Sequence, residues 1–139
     1  MKKVIALGTG LIIALCIILF LKLSSSYTIK EAMENGDFIT YPEEKNRDSF
    51  DNFIAKLQMK TDAKIRITEY SKEGEPRVND LEYRNQVFLL HAFYPEKLFN
   101  KEEIKNNYNE VYFESIGEYK DMYLVNTNTG DKMYICQIR

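Results

Sequence analysis

The chain has no tryptophan, one histidine, two cysteines, three prolines and six glycines among 139 residues. Each scarcity excludes something. Cys16 sits inside an apolar run and Cys136 is the only cysteine beyond it, so no intramolecular disulfide can staple the outer part, which must stand on packing alone. A conventional Cys/His zinc site needs three or four clustered ligands, and this inventory cannot supply one. With little Gly or Pro, no low-complexity stretch and no internal repeat, neither a long flexible stalk nor a disordered tail is expected. A Gly-rich phosphate loop is missing too, since Gly8-Thr9-Gly10 falls within the apolar run. So is a basic face. Beyond Lys22 the chain carries 16 Lys and Arg against 21 Asp and Glu, a formal net charge of −5, which gives no electrostatic footprint for nucleic acid or anionic lipid.

What is present begins with Val4 to Leu21, a run that no charged residue interrupts. As a helix rising about 1.5 Å per residue it covers most of a hydrocarbon core of roughly 30 Å, so it is expected to span a membrane. Lys2 and Lys3 precede it, which places the amino terminus in the cytoplasm and everything after Lys22 outside. The expected organisation is a cytoplasmic tip, span and short linker over residues 1–26, and a single extracytoplasmic domain over residues 27–139. Secretion after signal cleavage near Ser26 is the alternative, and the length of the apolar run favours retention. Lipidation of Cys16 lacks its small preceding residue, because Leu15 stands there; Cys16 reads as a small apolar residue in a span.

Thr28-Ile29-Lys30-Glu31 has the capping-box pattern, so a short helix should follow and stop at Asn35-Gly36. After a loop through Tyr41-Pro42, Asp48 or Ser49 should begin a second helix with Phe50, Phe53, Ile54 and Leu57 on one stripe. Lys64 to Ser71 alternates as a strand, with Ile65 and Ile67 on one face and Arg66, Thr68 and Tyr70 on the other. Glu73-Gly74-Glu75-Pro76 is turn chemistry, and Val78 to Arg84 returns with Leu81 and Tyr83 inward. Asn85 should reverse the chain again. Gln86 to Tyr94, apolar on both sides, should be a central strand covered on both faces and ended by Pro95. Asn100-Lys101-Glu102-Glu103 looks like a helix start, giving a third helix to about Tyr108. Val111 to Ile116, Asp121 to Val125 and Lys132 to Ile138 read as strands, the last two joined by a hairpin loop at Asn126 to Gly130. Helices first and strands after argue for an α+β fold behind an N-terminal transmembrane helix: two helices packed on one face of a mainly antiparallel sheet, rather than a parallel βαβ sheet.

At Ile65-Arg66-Ile67-Thr68-Glu69-Tyr70, followed by Glu73-Gly74-Glu75-Pro76 and Asp80-Leu81-Glu82-Tyr83, the sequence resembles a family of small exported bacterial domains catalogued only as a domain of unknown function. Its members are commonly lipoproteins of Gram-positive bacteria. The similarity extends to Gly36-Asp37-Phe38-Ile39 and to Asn46 with Phe53 seven residues on, and covers Thr28 to Tyr83. There are two departures: the lipobox is missing, and the Asp-containing segment that such members often carry after the third strand is not recognisable around Phe93 to Asn107. The resemblance implies an exported, membrane-tethered domain and brings no catalytic residue, cofactor or ligand.

The sharpest catalytic pattern is His91 with Cys136, since a thiolate beside an imidazole is an activated nucleophile. Neither residue lies in a nucleophile motif, and a lone His on an apolar strand or a lone Cys ordinarily just packs there. Asn126-x-Asn128-x-Gly130-Asp131 has some calcium-loop spacing but lacks the leading aspartate and the closing glutamate, and reads as a hairpin turn. Glu69, Glu73, Glu75, Glu82 and Asp80 are all available as paired carboxylates for sugar hydrolysis. The polar side of the first long strand, Arg66, Thr68 and Tyr70, joined by Tyr83 or Tyr134, carries the residue types common in binding hot spots; its plain reading is a solvated sheet face. The expected function is a membrane-anchored, non-catalytic module that binds a protein or cell-wall partner outside the cytoplasm, with no catalytic residue, metal or cofactor. A cell-surface hydrolase using paired carboxylates and a structural subunit of a membrane complex are the alternatives.

Overall fold

Thr28 opens the domain as its side chain predicts. Its Oγ1 accepts the Glu31 N–H at 3.2 Å and the Glu31 carboxylate accepts the Thr28 N–H at 2.8 Å, closing the capping box of α1, Ile29–Glu34. Helix α1 stops at Asn35, and Gly36 follows in the left-handed region with φ +81°. The computed structural model describes residues 27–95 and 103–139. The expected span at Val4 to Leu21, the cleavage position near Ser26 and the expected helix start at Asn100 to Glu102 lie outside the described residues. Among the described residues no helix is long and apolar enough to cross a membrane.

Where a loop was expected the chain forms β1, Phe38–Tyr41, ended by a cis bond between Tyr41 and Pro42. Four residues are too few to show a period of two, and Phe38 and Ile39 are both buried, so the strand leaves no alternation to read. Helix α2, Arg47–Gln58, starts slightly earlier than Asp48, from Asn46 in the left-handed conformation. The Asn46 amide donates to the main-chain carbonyls of Asp37 and Met33, at 2.8 and 3.2 Å, and so ties the helix start to the end of α1 rather than capping its own amides. The expected stripe is in place. Phe50 and Phe53 are buried, with Ile54 and Leu57 packed at the margin of the core.

Strand β2, Ala63–Tyr70, runs parallel to β1, so β1, α2 and β2 make a βαβ unit, contrary to the expectation drawn from element order. The short β1 is what hid it. From β2 the chain meanders antiparallel through β3, Pro76–Arg84, β4, Val87–Phe93, and β5, Glu103–Tyr108, to complete a five-stranded mixed sheet in the order β1-β2-β3-β4-β5. Asn85 and Gln86, both at positive φ, turn β3 into β4. Strand β5 corrects the expected third helix: Tyr108 pairs with Phe88 and Ile104 with His91. Its polar residues sit on a solvated edge, and pairing with β4 overrides the cap-like local signal. A separate three-stranded antiparallel sheet follows from β6, Glu110–Ile116, β7, Tyr119–Val125, and β8, Lys132–Ile138.

The main core lies between one face of the large sheet, α2 and the small sheet. Ile65, Ile67, Leu81, Phe88 and Leu90 meet Phe50 and Phe53 on one side and Met122, Leu124 and Ile135 on the other. The opposite face of the large sheet carries α1, where Ala32 packs with Ile39 and Tyr70 in a second, smaller cluster. The two helices therefore cover opposite faces, not one. Because α1 is short, it covers only the β1 and β2 end; Val87 and Leu89 on β4 stay about two-fifths exposed, so β4 is not the strand covered on both faces that its sequence suggests.

Candidate functional site

The part of the large sheet left open by α1 holds a groove of about 660 Å³. Its floor comes from Lys64 and Arg66 on β2, Asp80 and Glu82 on β3, and Leu89 and His91 on β4. The pairing register explains this company: Arg66 is opposite Asp80 and Asp80 is opposite His91, while Lys64 is opposite Glu82 and Glu82 is opposite Leu89. Directly paired residues share a face. The rim is made by Asn35, Gly36 and Asp37 after α1 and by Ser49 and Asn52 on the first turns of α2.

Charges on the floor cancel in pairs. Arg66 grips Asp80 with two parallel hydrogen bonds, Nε to Oδ1 at 2.6 Å and Nη2 to Oδ2 at 2.8 Å, and its guanidinium lies over the Phe93 ring at 5.9 Å. The hydrogen bonds that Arg66 donates to Asp80 hold it more firmly protonated than an isolated guanidinium, against the opposing effect of desolvation. Glu82 accepts from Lys64 at 3.1 Å and from Arg84 at 2.7 Å. Asp37 is different. It is 1 % exposed, and among the described residues it has no ion pair within 4 Å.

What holds Asp37 is a set of neutral donors. Its Oδ2 accepts from Thr68 Oγ1 at 2.6 Å and from Tyr27 OH at 2.7 Å, and Tyr27 OH in turn accepts from the Asn35 amide at 3.0 Å. Burial pushes the Asp37 carboxyl above its ordinary range; the two hydrogen bonds and the more distant Arg66 charge oppose this without cancelling it. The same burial raises the Tyr27 hydroxyl.

Of Arg66, Thr68 and Tyr70, the binding residues singled out from sequence, Arg66 alone lies in the groove. Thr68 and Tyr70 share its face, but α1 covers them: Thr68 is fully buried and serves Asp37, and Tyr70 packs with Ala32 and Ile39. This face is therefore not a continuous solvated surface. Tyr83 points into the main core and Tyr134 belongs to the small sheet, so neither joins Arg66. His91 is on the open face, while Cys136 is fully buried in the core and its thiol is pushed far up by burial; the two do not form a dyad. The Asn126 to Asp131 segment is a hairpin turn whose side chains bond within it, Asn126 Oδ1 accepting from the Asn128 and Thr129 amides and Asp131 from Thr129 Oγ1. Among the described residues no group of three or more His, Cys, Asp or Glu could hold a metal ion.

Asp80 and Glu82 among the carboxylates come together in the groove; Glu69 is on the core face of β2 beside a second cavity of about 330 Å³, with its carboxyl raised by burial. Asp37 is not legible as a site in the sequence, where it simply follows the helix-stopping Gly36; only tertiary contact buries its side chain.

The fold and groove define a mostly-sheet α+β domain, two helices on a mixed five-stranded sheet, with one open, internally charge-balanced sheet face. The chain belongs to the family described as Domain of unknown function (DUF4362), whose model matches residues 37–121. This family assignment starts later and reaches further than the likeness over Thr28 to Tyr83, taking in β4 through the start of β7. No curated protein and no solved structure matches the chain.

Proposed function

We propose that the chain is a membrane-anchored, extracytoplasmic binding module, non-catalytic, whose protein or cell-wall partner lies in the groove over Arg66. The observation that carries this reading is the groove itself. It is an open recess with paired charges on its floor and side-chain amides on its rim, the kind of surface that fixes a partner's orientation by hydrogen bonds. The uncharged apolar run from Val4 to Leu21 supports the anchoring. Tyr27 bonds the rim residue Asp37, and residues 22–26 that separate it from the apolar run reach at most about 20 Å, so the groove would work close to the bilayer surface. A pull-down with the full chain against separate membrane-protein and cell-wall extracts tests the reading. A saturable partner lost with Arg66→Ala supports it; a partner retained equally by Arg66→Ala removes the groove.

One observation favours a second reading, a cell-surface hydrolase using paired carboxylates. Asp37, with its carboxyl raised, and Asp80 line the same groove, which is the arrangement an acid and its partner need. Release of soluble fragments from cell-wall material, lost in both Asp37→Asn and Asp80→Asn, would favour it over binding alone.

A further inference from the structure

Strand β2 is longer than the strand beside it. Phe38 begins β1 opposite Ile67, whereas β2 begins at Ala63, so Ala63, Lys64, Ile65 and Arg66 have β3 on one side and no strand on the other. The turn after β2 decides which of them point outward. Ser71 N–H donates to Glu75 O at 2.9 Å, and bonded pairs alternate along an antiparallel ladder, so Glu69, Ile67, Ile65 and Ala63 exchange their bonds with β3. Pro76 fits this phase: it has no N–H and falls in the unbonded pair opposite Tyr70.

The main-chain groups of the even residues therefore face the β1 side. Parallel pairing with Phe38 uses the Arg66 carbonyl and the Thr68 N–H. Left over are Arg66 N–H and Lys64 C=O, to which no described residue outside the sheet ladder bonds. Both residues line the groove, with Gly36, Ser49 and Asn52 across from them. The space over them is the groove of about 660 Å³.

We propose that an extended peptide adds to this free stretch of β2 as a continuation of β1, one of its residues donating N–H to Lys64 O and accepting from Arg66 N–H, with a basic residue beside it in the groove on the Asp37 side. An unpaired strand edge is a template for such addition: main-chain bonds give affinity and the flanking side chains give selectivity. The charge preference follows from the groove. Lys64, Arg66, Asp80 and Glu82 already satisfy one another, while Asp37 is buried without a counter-ion among the described residues and takes both of its hydrogen bonds on Oδ2. Asp37 is closed off from water, so a ligand cation in the groove meets its charge across the intervening protein and not its oxygens, and a carboxylate placed there would be repelled.

This inference rests on the groove being the binding site and deepens that reading. The test pans a random-peptide library against the full chain in detergent micelles, then follows the backbone amides of the retained peptides' complexes by NMR. The expected result is retained peptides with a Lys or Arg in a β-prone stretch, a downfield shift of the Arg66 amide on binding, and a loss of about tenfold in affinity on N-methylation of the bonding peptide residue or with Asp37→Asn. No retained peptide, or retained peptides that leave the Arg66 amide unmoved, overturns the inference. A partner captured from extracts and lost with Arg66→Ala, but with the Arg66 amide unshifted, overturns strand addition and leaves the groove as the binding site.

Discussion

Arg66 and Asp80 face each other across neighbouring strands and are joined by a two-pronged bridge in the middle of the open sheet face. Both side chains are about one-third exposed, so water screens the pair and its stabilising effect is modest despite the good geometry. A double-mutant cycle of Arg66→Ala and Asp80→Ala, measured by urea unfolding, should give a coupling of about 1 kcal/mol. A coupling near zero would mean that solvent screening cancels the bridge's contribution to the fold.

Asp37 makes stability depend on pH with a definite sign. Its folded value lies above the ordinary 3.8, so between the two the native state keeps a proton that the unfolded chain has lost, and stability falls as pH rises through that window before levelling off. Asp37→Asn keeps an acceptor for Thr68 and Tyr27 and removes the titration. The variant should therefore gain on the wild type as pH increases from about 3 to 7. Unfolding midpoints that track each other at every pH would contradict the assignment.

Phe53 anchors α2 on the large sheet, with 2 % of its surface exposed. Truncation to alanine leaves a cavity between α2 and β2, so Phe53→Ala should cost about 3–5 kcal/mol in urea unfolding. Met59, at the end of the same helix and two-thirds exposed, is the comparison: Met59→Ala should stay within about 0.5 kcal/mol.

Cys136 is fully buried among Met122, Leu124 and Ile135, and burial disfavours its thiolate. Iodoacetamide should leave it unmodified in the native protein at neutral pH and label it once denaturant is added. Rapid native labelling would show that β8 opens from the core.

Much of the local structure is legible in the residues themselves. The capping box at Thr28 and Glu31, the stripe of Phe50, Phe53, Ile54 and Leu57, and the alternation of Ile65 and Ile67 are short-range patterns, and each is found where those patterns put it. The limits of Lys132–Ile138 are read correctly for the same reason. Strand β5 is the counter-example. Its Glu103 to Tyr108 segment is polar and carries a helix-like start, and only the free edge of β4 makes it a strand.

By itself the sequence determined the chemistry available: a single cysteine beyond the apolar run, an acidic excess and an Arg66 on the polar side of a strand. Tertiary structure decided which of those side chains meet. It put α1 and α2 on opposite faces, buried Thr68 and Tyr70, parted His91 from Cys136, and closed Asp37 off from water beside Arg66 and Asp80. The physical reason is range. Caps, turns and amphipathic stripes are set within a few residues, whereas a parallel β1 pairing, an open sheet face and a desolvated carboxylate depend on contacts between segments roughly 30 residues apart, such as Asp37 and Thr68.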